Sequence, residues 1–167
     1  MNWDELKLET KHDYIQSLFP LPAKSKYAVG APVLTEKSLE KFRTNEVVRA
    51  NVVRAYFKMM DFFGYFVNVR KRSIIRVEAL DSQIQGTTVG LMSAHNYLRI
   101  TRMLTFLRLS KFSLLAWLFF LGLCRDLKEN GEFREAVLRK GILKSWMRAL
   151  GMSKEIVENY DVENLES

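Results

Sequence analysis

Cysteine, histidine, proline and glycine are all scarce in this chain of 167 residues, and each shortage excludes something. There is one cysteine, Cys124, so no disulfide closes within the chain and no cysteine-rich metal centre is available. That points to a reducing compartment, cytosol or nucleus. There are two histidines, His12 and His95, more than eighty positions apart, and no HExxH pattern, so the chain carries no metal-ligand spacing. The glycines do not gather into a phosphate-cradling loop; GTTVG and GAP lack the required lysine and spacing. No apolar run reaches the length of about 20 residues that a bilayer-crossing helix needs. The most apolar stretch, Phe112 to Cys124, is bounded by Lys111 and Arg125 and reads as a buried helix. The opening MNWDELKLETK is polar and mixed in charge, unlike a signal or transit peptide.

Catalytic chemistry finds little footing. Cys124 ends the run LLAWLFFLGLC, and apolar surroundings raise a thiol pKa rather than lowering it. Asp13 or Asp4 beside His12 makes a dyad with no nucleophile next to it. The chain therefore reads as a non-enzyme that needs no cofactor.

Apolar residues and positive charge are plentiful. Hydrophobic residues make up 48%, enough for a core. Lys plus Arg total 26 against 19 acidic residues, net +7, which suits an anionic partner such as nucleic acid or an acidic membrane surface. Arg70, Lys71, Arg72 and Arg76 form one basic cluster; Arg99, Arg102, Arg108 and Lys111 lie along one helix. The plainer reading is a solvated face whose arginines bridge to acids such as Glu36, Glu40 or Glu46. No helix-turn-helix, zinc finger or RNP-type aromatic signature supports the nucleic-acid reading.

The hydrophobic periodicity predicts helix after helix. A first helix over about Asp4 to Phe19 stops at Pro20 and Pro22, with Asp13 or Thr10 as cap and Gln16 completing a capping box. All three prolines fall in PLPAKSKYAVGAPV, an ordered loop. Thr35 caps a helix to about Arg43, with Leu34 and Leu39 as a staple. Thr44 caps the next, Asn45 to Phe63, closed by Gly64. Tyr65 to Ser93 is irregular, a short hairpin or a short helix. His95 to Leu109 presents Ile100, Met103, Leu104 and Leu107 to the core, with Arg99 and Arg102 pointing away. Ser113 caps a helix to about Glu129. Asn130-Gly131 is a turn, and Glu132 to Leu150 is one basic amphipathic helix. Ser153 caps a last short helix through Tyr160. The sum is an all-α, compact single-domain helical bundle with a Pro-rich ordered loop and one irregular segment. It divides into a helical domain over 1–151 and, over 152–167, a short C-terminal helix with a frayed acidic tail.

Two strings stand out: HDYIQSLFPLP, from His12, and HNYLRITRML, from His95. Both begin His-(Asp/Asn)-Tyr-(Ile/Leu)-(Gln/Arg). With APVLT (Ala31 to Thr35) and the helix VVRANVVRAYFKMMDFFGY between them, they resemble, in this order, the hallmark segments of the opioid growth factor receptor conserved region. The resemblance runs from about Trp3 to about Leu127. It implies a receptor for a Met-enkephalin-like pentapeptide, cytoplasmic or nuclear, peripherally associated with membranes and without a transmembrane helix. Two roles compete for the paired strings. In one, His12, Tyr14, Gln16, His95 and Arg99 form a satisfied polar network that locks the proline loop onto two helices. In the other, the same groups line a shared groove. A peptide amine then meets Asp13, its carboxylate meets Arg99 or Arg102, and Tyr14, Tyr27 and Tyr97 give flat apolar contact. His12, His95, Asn96 and Gln16 complete the candidate site.

Overall fold

The computed structural model of the chain describes residues 8, 11, 13–25, 28–76 and 94–160. Eight helices and one two-stranded sheet lie among them: α1 Tyr14–Leu18, α2 Glu36–Thr44, α3 Glu46–Phe62, β1 Tyr65–Asn68, β2 Ser73–Arg76, α4 Ala94–Leu109, α5 Ser113–Glu129, α6 Gly131–Arg139, α7 Ile142–Ala149 and α8 Lys154–Asn159. The bundle is mostly helical, as the periodicity predicts.

Capping explains most of the boundaries. The Thr35 hydroxyl accepts from the Ser38 amide and Ser38 answers the Thr35 amide, a full capping box that starts α2. Leu34 and Leu39 are both buried beside it. α3 starts one residue later than the sequence predicts. Asn45 Oδ1 accepts from the Val48 amide at 3.0 Å, while the expected cap Thr44 instead donates to the Glu40 carbonyl. Asn is the stronger N-cap residue, and Thr44 is already the last residue of α2. Asp13 makes no side-chain cap bond to α1, so the predicted capping box there is absent. Ser113 is likewise the first residue of α5 rather than its cap. Asn130 caps α6 through the Phe133 amide at 2.9 Å, and Ser153 caps α8.

Two predicted elements are corrected. The single helix expected over Glu132 to Leu150 is two, α6 and α7, broken at Lys140-Gly141, where Gly141 sits at φ 63°. Only glycine takes that left-handed conformation at no steric cost, so the chain turns there despite continuous apolar spacing. The irregular segment resolves in part: Tyr65–Asn68 and Ser73–Arg76 pair antiparallel, Phe66 opposite Ile75 and Val67 opposite Ile74. The rest of it, 77–93, lies outside the described residues. The first helix, expected from about Asp4 to Phe19, is not continuous: Lys11 and Asp13 are not helical, and α1 runs only from Tyr14 to Leu18.

The core runs between α3, α4, α5 and the hairpin. Ile100, Met103, Leu104 and Leu107 are fully buried, the predicted stripe of α4. Phe63 stacks on Phe119 at 5.5 Å and Tyr65 meets Phe119 edge-on at 5.8 Å. Tyr97, Phe133 and Trp146 form a second aromatic layer with centroid spacings of 6.1–6.4 Å. The hairpin lies directly on α5 because Gly122 lets it. A Cβ there would stand 2.9 Å from Ile74 Cδ1 and 3.1 Å from Tyr65 Cε1.

Arginine supplies the joints. Arg43 donates to the Leu109 carbonyl at the end of α4, and Arg49 to the Phe42 and Arg43 carbonyls in the last turn of α2. Arg108 donates to the Ala149 carbonyl at the end of α7, and Arg76 to the Phe63 carbonyl just past α3. Helix C-termini leave carbonyls unpaired and carry partial negative charge, so a guanidinium satisfies both needs at once. These arginines therefore pair with backbone carbonyls rather than with Glu36, Glu40 or Glu46.

Candidate functional site

The two signature strings meet, 83 positions apart in sequence. Arg99 of α4 donates through Nη2 to the Lys11 carbonyl at 2.9 Å and through Nη1 to Asn96 Oδ1 at 2.9 Å. Its guanidinium carbon stands 5.4 Å from the centre of the Tyr14 ring, within cation–π range. One turn on, Arg102 Nη1 donates to the Phe19 carbonyl at 3.3 Å, where α1 ends. Tyr14 in turn donates to the Leu8 carbonyl at 3.1 Å and lies against Met59 Sδ at 3.8 Å. Arg99 and Arg102, three residues apart, share one face of α4. That face lies away from the Ile100–Leu107 stripe, as the spacing predicts, and α1 covers it. Arg99 is 4% exposed, and burial lowers the pKa of half-buried Arg102.

The other candidates divide. Asn96 is fully buried beside Arg99, His95 is half-buried, and Asp13 is exposed. Gln16 is 5% exposed, and its Oε1 has no hydrogen-bond partner among the described residues. Tyr97 sits elsewhere. Two positions before Arg99 on a helix of 3.6 residues per turn, it points to the opposite face. There its ring packs on Phe133 and Trp146, with Lys140 Nζ 5.6 Å above it. Burial raises its phenol pKa. His12 and Tyr27 lie outside the described residues.

One buried polar cluster escapes the sequence reading. Asp126 of α5, 4% exposed, accepts from Arg76 Nε at 3.0 Å and Nη2 at 2.7 Å, and from the Tyr65 hydroxyl. Burial, and then the Asp126 charge, hold the Tyr65 phenol protonated well above its ordinary range. The available signal is a lone acid inside an apolar helix, since a buried carboxylate needs a partner. Among the described residues no three His, Cys, Asp or Glu side chains gather closely enough to hold a metal ion.

Cys124, also on α5, is buried, and that burial pushes its thiol up to about 12 from an ordinary 9.0. Above pH 9 an unfolded chain gives up this proton and the folded chain keeps it. Stability contributed by the protonated thiol is therefore complete below pH 9 and falls as pH rises, by about 1.4 kcal/mol per unit. Urea unfolding of the chain and of Cys124→Val at pH 8, 9 and 10 should show the parent losing ground to the variant as pH rises. A pH-independent difference between the two would contradict the assignment.

The matches to known proteins follow the same strings. The family described as "Opioid growth factor receptor (OGFr) conserved region" matches residues 1–155. "Opioid growth factor receptor-like protein 1" of Xenopus tropicalis is 39% identical over 102 residues, 60% of this chain and 19% of that protein. "Opioid growth factor receptor" of Rattus norvegicus is 36% identical over 98 residues, 58% of this chain and 16% of that protein, and the Homo sapiens protein of that name is 34% identical over 98 residues, 58% and 14%. The chain thus spans about a fifth or less of these curated relatives. No solved structure matches it. Among the described residues no helix is long and apolar enough to cross a membrane. From the match across residues 1–155 it follows that the chain belongs to the opioid growth factor receptor conserved-region family.

Proposed function

We propose that this chain is a non-enzymatic peptide- or protein-binding domain whose ligand contacts the layer between α1 and α4. The observation that carries the reading is Gln16. A buried acceptor left unmet costs about 1–3 kcal/mol, and Gln16 Oε1 is such an acceptor, set in the first of the two signature strings. A ligand amine or amide N–H meets that need. Asp13, exposed at the start of α1, supplies a carboxylate for a terminal ammonium. Arg102, only half-buried, is the better placed of the two arginines to hold a ligand carboxylate, because Arg99 is committed to Lys11 and Asn96. The relatives carry the name receptor, which favours this class over an enzyme.

Met-enkephalin is the first ligand to test, by isothermal titration. Expected are a measurable heat at micromolar concentrations and a loss of about tenfold in affinity for Gln16→Leu, the worth of one hydrogen bond. Absence of heat with the parent chain removes the pentapeptide, and affinity unchanged by Gln16→Leu removes the site.

The alternative, a basic module for nucleic acid or an anionic membrane, loses half of its proposed cations. Arg76, Arg99, Arg102 and Arg108 all turn inward onto Asp126 or backbone carbonyls. What remains for it is the exposed turn of Arg70, Lys71 and Arg72, with the exposed Lys111.

A further inference from the structure

That basic turn stands beside a second feature the α1–α4 site does not use. α5 is apolar nearly all round, yet one of its faces is uncovered: Leu114 is 43% exposed, Trp117 43% and Leu121 53%. Their i, i+3, i+7 spacing makes one stripe of about two helical turns, roughly 10 Å long. Exposed apolar groups are ordinary when scattered, but an aligned trio centred on a tryptophan marks an interaction surface. The exposed charges around the stripe are mostly positive. Lys111 lies before it and Lys128 beyond it, both exposed, with Glu129 at the far end of the helix. Arg125, next along the face, donates to the Ile74 carbonyl at 2.8 Å and so ties the stripe to the edge of β2.

The hairpin adds the rest. Ile74 lies over Gly122 and Arg76 bonds Asp126, so β2 runs alongside α5 in the same direction. Two strand residues rise about 6.6 Å and four helical residues about 6 Å. Continued back by one step, this places the turn before Ser73 level with Trp117 and Leu118. Arg70, Lys71 and Arg72 stand there exposed, with no carboxylate partner among the described residues.

We propose that the Leu114–Trp117–Leu121 face of α5, with the Arg70–Arg72 turn as its rim, docks an acidic amphipathic helix of a protein partner. Helical spacing of the anchors suits a partner helix laid along α5, its apolar residues on Trp117 and its carboxylates toward the cations. A second copy of this chain is disfavoured, since the chain carries net +7 and pairing two such faces opposes their cations. The proposal rests on reading the chain as a protein-binding domain but uses no residue of the α1–α4 site, so enkephalin titration and the test below can fail separately.

The probe is a fluorescein-labelled helical peptide of about five turns, leucine at i, i+3, i+4, i+7 and glutamate elsewhere. A companion carries lysine for each glutamate. Fluorescence anisotropy should show the glutamate peptide binding the whole chain, more weakly as salt rises, and the lysine peptide binding at least tenfold more weakly. Trp117→Ser and, separately, Arg70→Ser/Lys71→Ser/Arg72→Ser should each cost about tenfold or more; both alter exposed positions, and circular dichroism verifies their fold. The triple variant should also flatten the salt dependence. Equal binding of the two peptides, no binding at about 100 μM, or binding that survives both variants overturns the proposal. So does capture by phosphatidylserine vesicles without capture of the peptide, or a concentration-dependent dimer abolished by Trp117→Ser.

Discussion

Replacing Asp126 with alanine should lower the stability of the chain by about 3–5 kcal/mol, the cost of stripping one partner from a buried ion pair. Arg76 would keep its charge and its bond to the Phe63 carbonyl, but would lose both contacts to the carboxylate. The Tyr65 hydroxyl, buried under the hairpin, would lose its acceptor. For a domain of this size that corresponds to a fall of about 10 °C or more in melting temperature. The attribution has a sharper control. Tyr65→Phe, Arg76→Met and Asp126→Leu together remove all three side chains of the cluster and leave only the Phe63 carbonyl without its donor, so the triple variant should recover most of the loss. Calorimetry on the parent, the single and the triple variant decides it. A single variant within about 0.5 kcal/mol of the parent would show the cluster to be hydrated rather than sequestered.

The second large effect belongs to Arg99. Arg99→Met keeps the apolar stem but leaves the Lys11 carbonyl and Asn96 Oδ1 without this donor and removes the cation from the Tyr14 ring. The expected loss is about 2–4 kcal/mol, from the two lost hydrogen bonds of a buried guanidinium plus the lost cation–π contact. Arg99→Lys should recover less than half of it. One ammonium on a flexible stem cannot serve two acceptors in a fixed fork and lie over a ring at once. Urea unfolding gives the totals, and limited proteolysis near Lys11 reports whether the N-terminal segment releases first. Full recovery by lysine would mean that charge alone matters and that the fork geometry does not.

Both effects sit where the sequence was hardest to read, and for one reason. Local signals announce themselves within a few residues. Thr35 declares a cap, Ile100, Met103, Leu104 and Leu107 declare a buried stripe, and Gly64 marks a stop. The helical architecture follows from such signals. Partnerships across fifty or more positions have no local mark. Asp126 looks like a polar end to an apolar helix until Arg76 arrives from the hairpin. Arg99 and Arg102 look solvent-facing, because charge is normally read as exposure; only the arrival of α1 on that side of α4 turns them inward. The repeated His-Asx-Tyr pattern signalled that the two strings belong together, but not how. It grouped Tyr97 with Tyr14, although Tyr97 faces α7 and Tyr14, on α1, faces Arg99 of α4 and Met59 of α3. The break at Gly141 leaves no periodic mark, because the apolar spacing continues through it and periodicity does not register a single left-handed residue.

The arginines that end on carbonyls have a consequence for how this chain can change. A carbonyl oxygen is neutral, so such a joint is not a pairing of opposite charges, and dissolved salt screens it far less than it screens an exposed ion pair. A rewritten chain with lysine at Arg43, Arg49 and Arg108 would keep its net charge and its hydropathy profile and would pass any test of composition. It would still loosen at the seams, because Arg43 holds the Leu109 carbonyl between two N–H groups of one planar fork, a geometry that an ammonium on a flexible stem lacks.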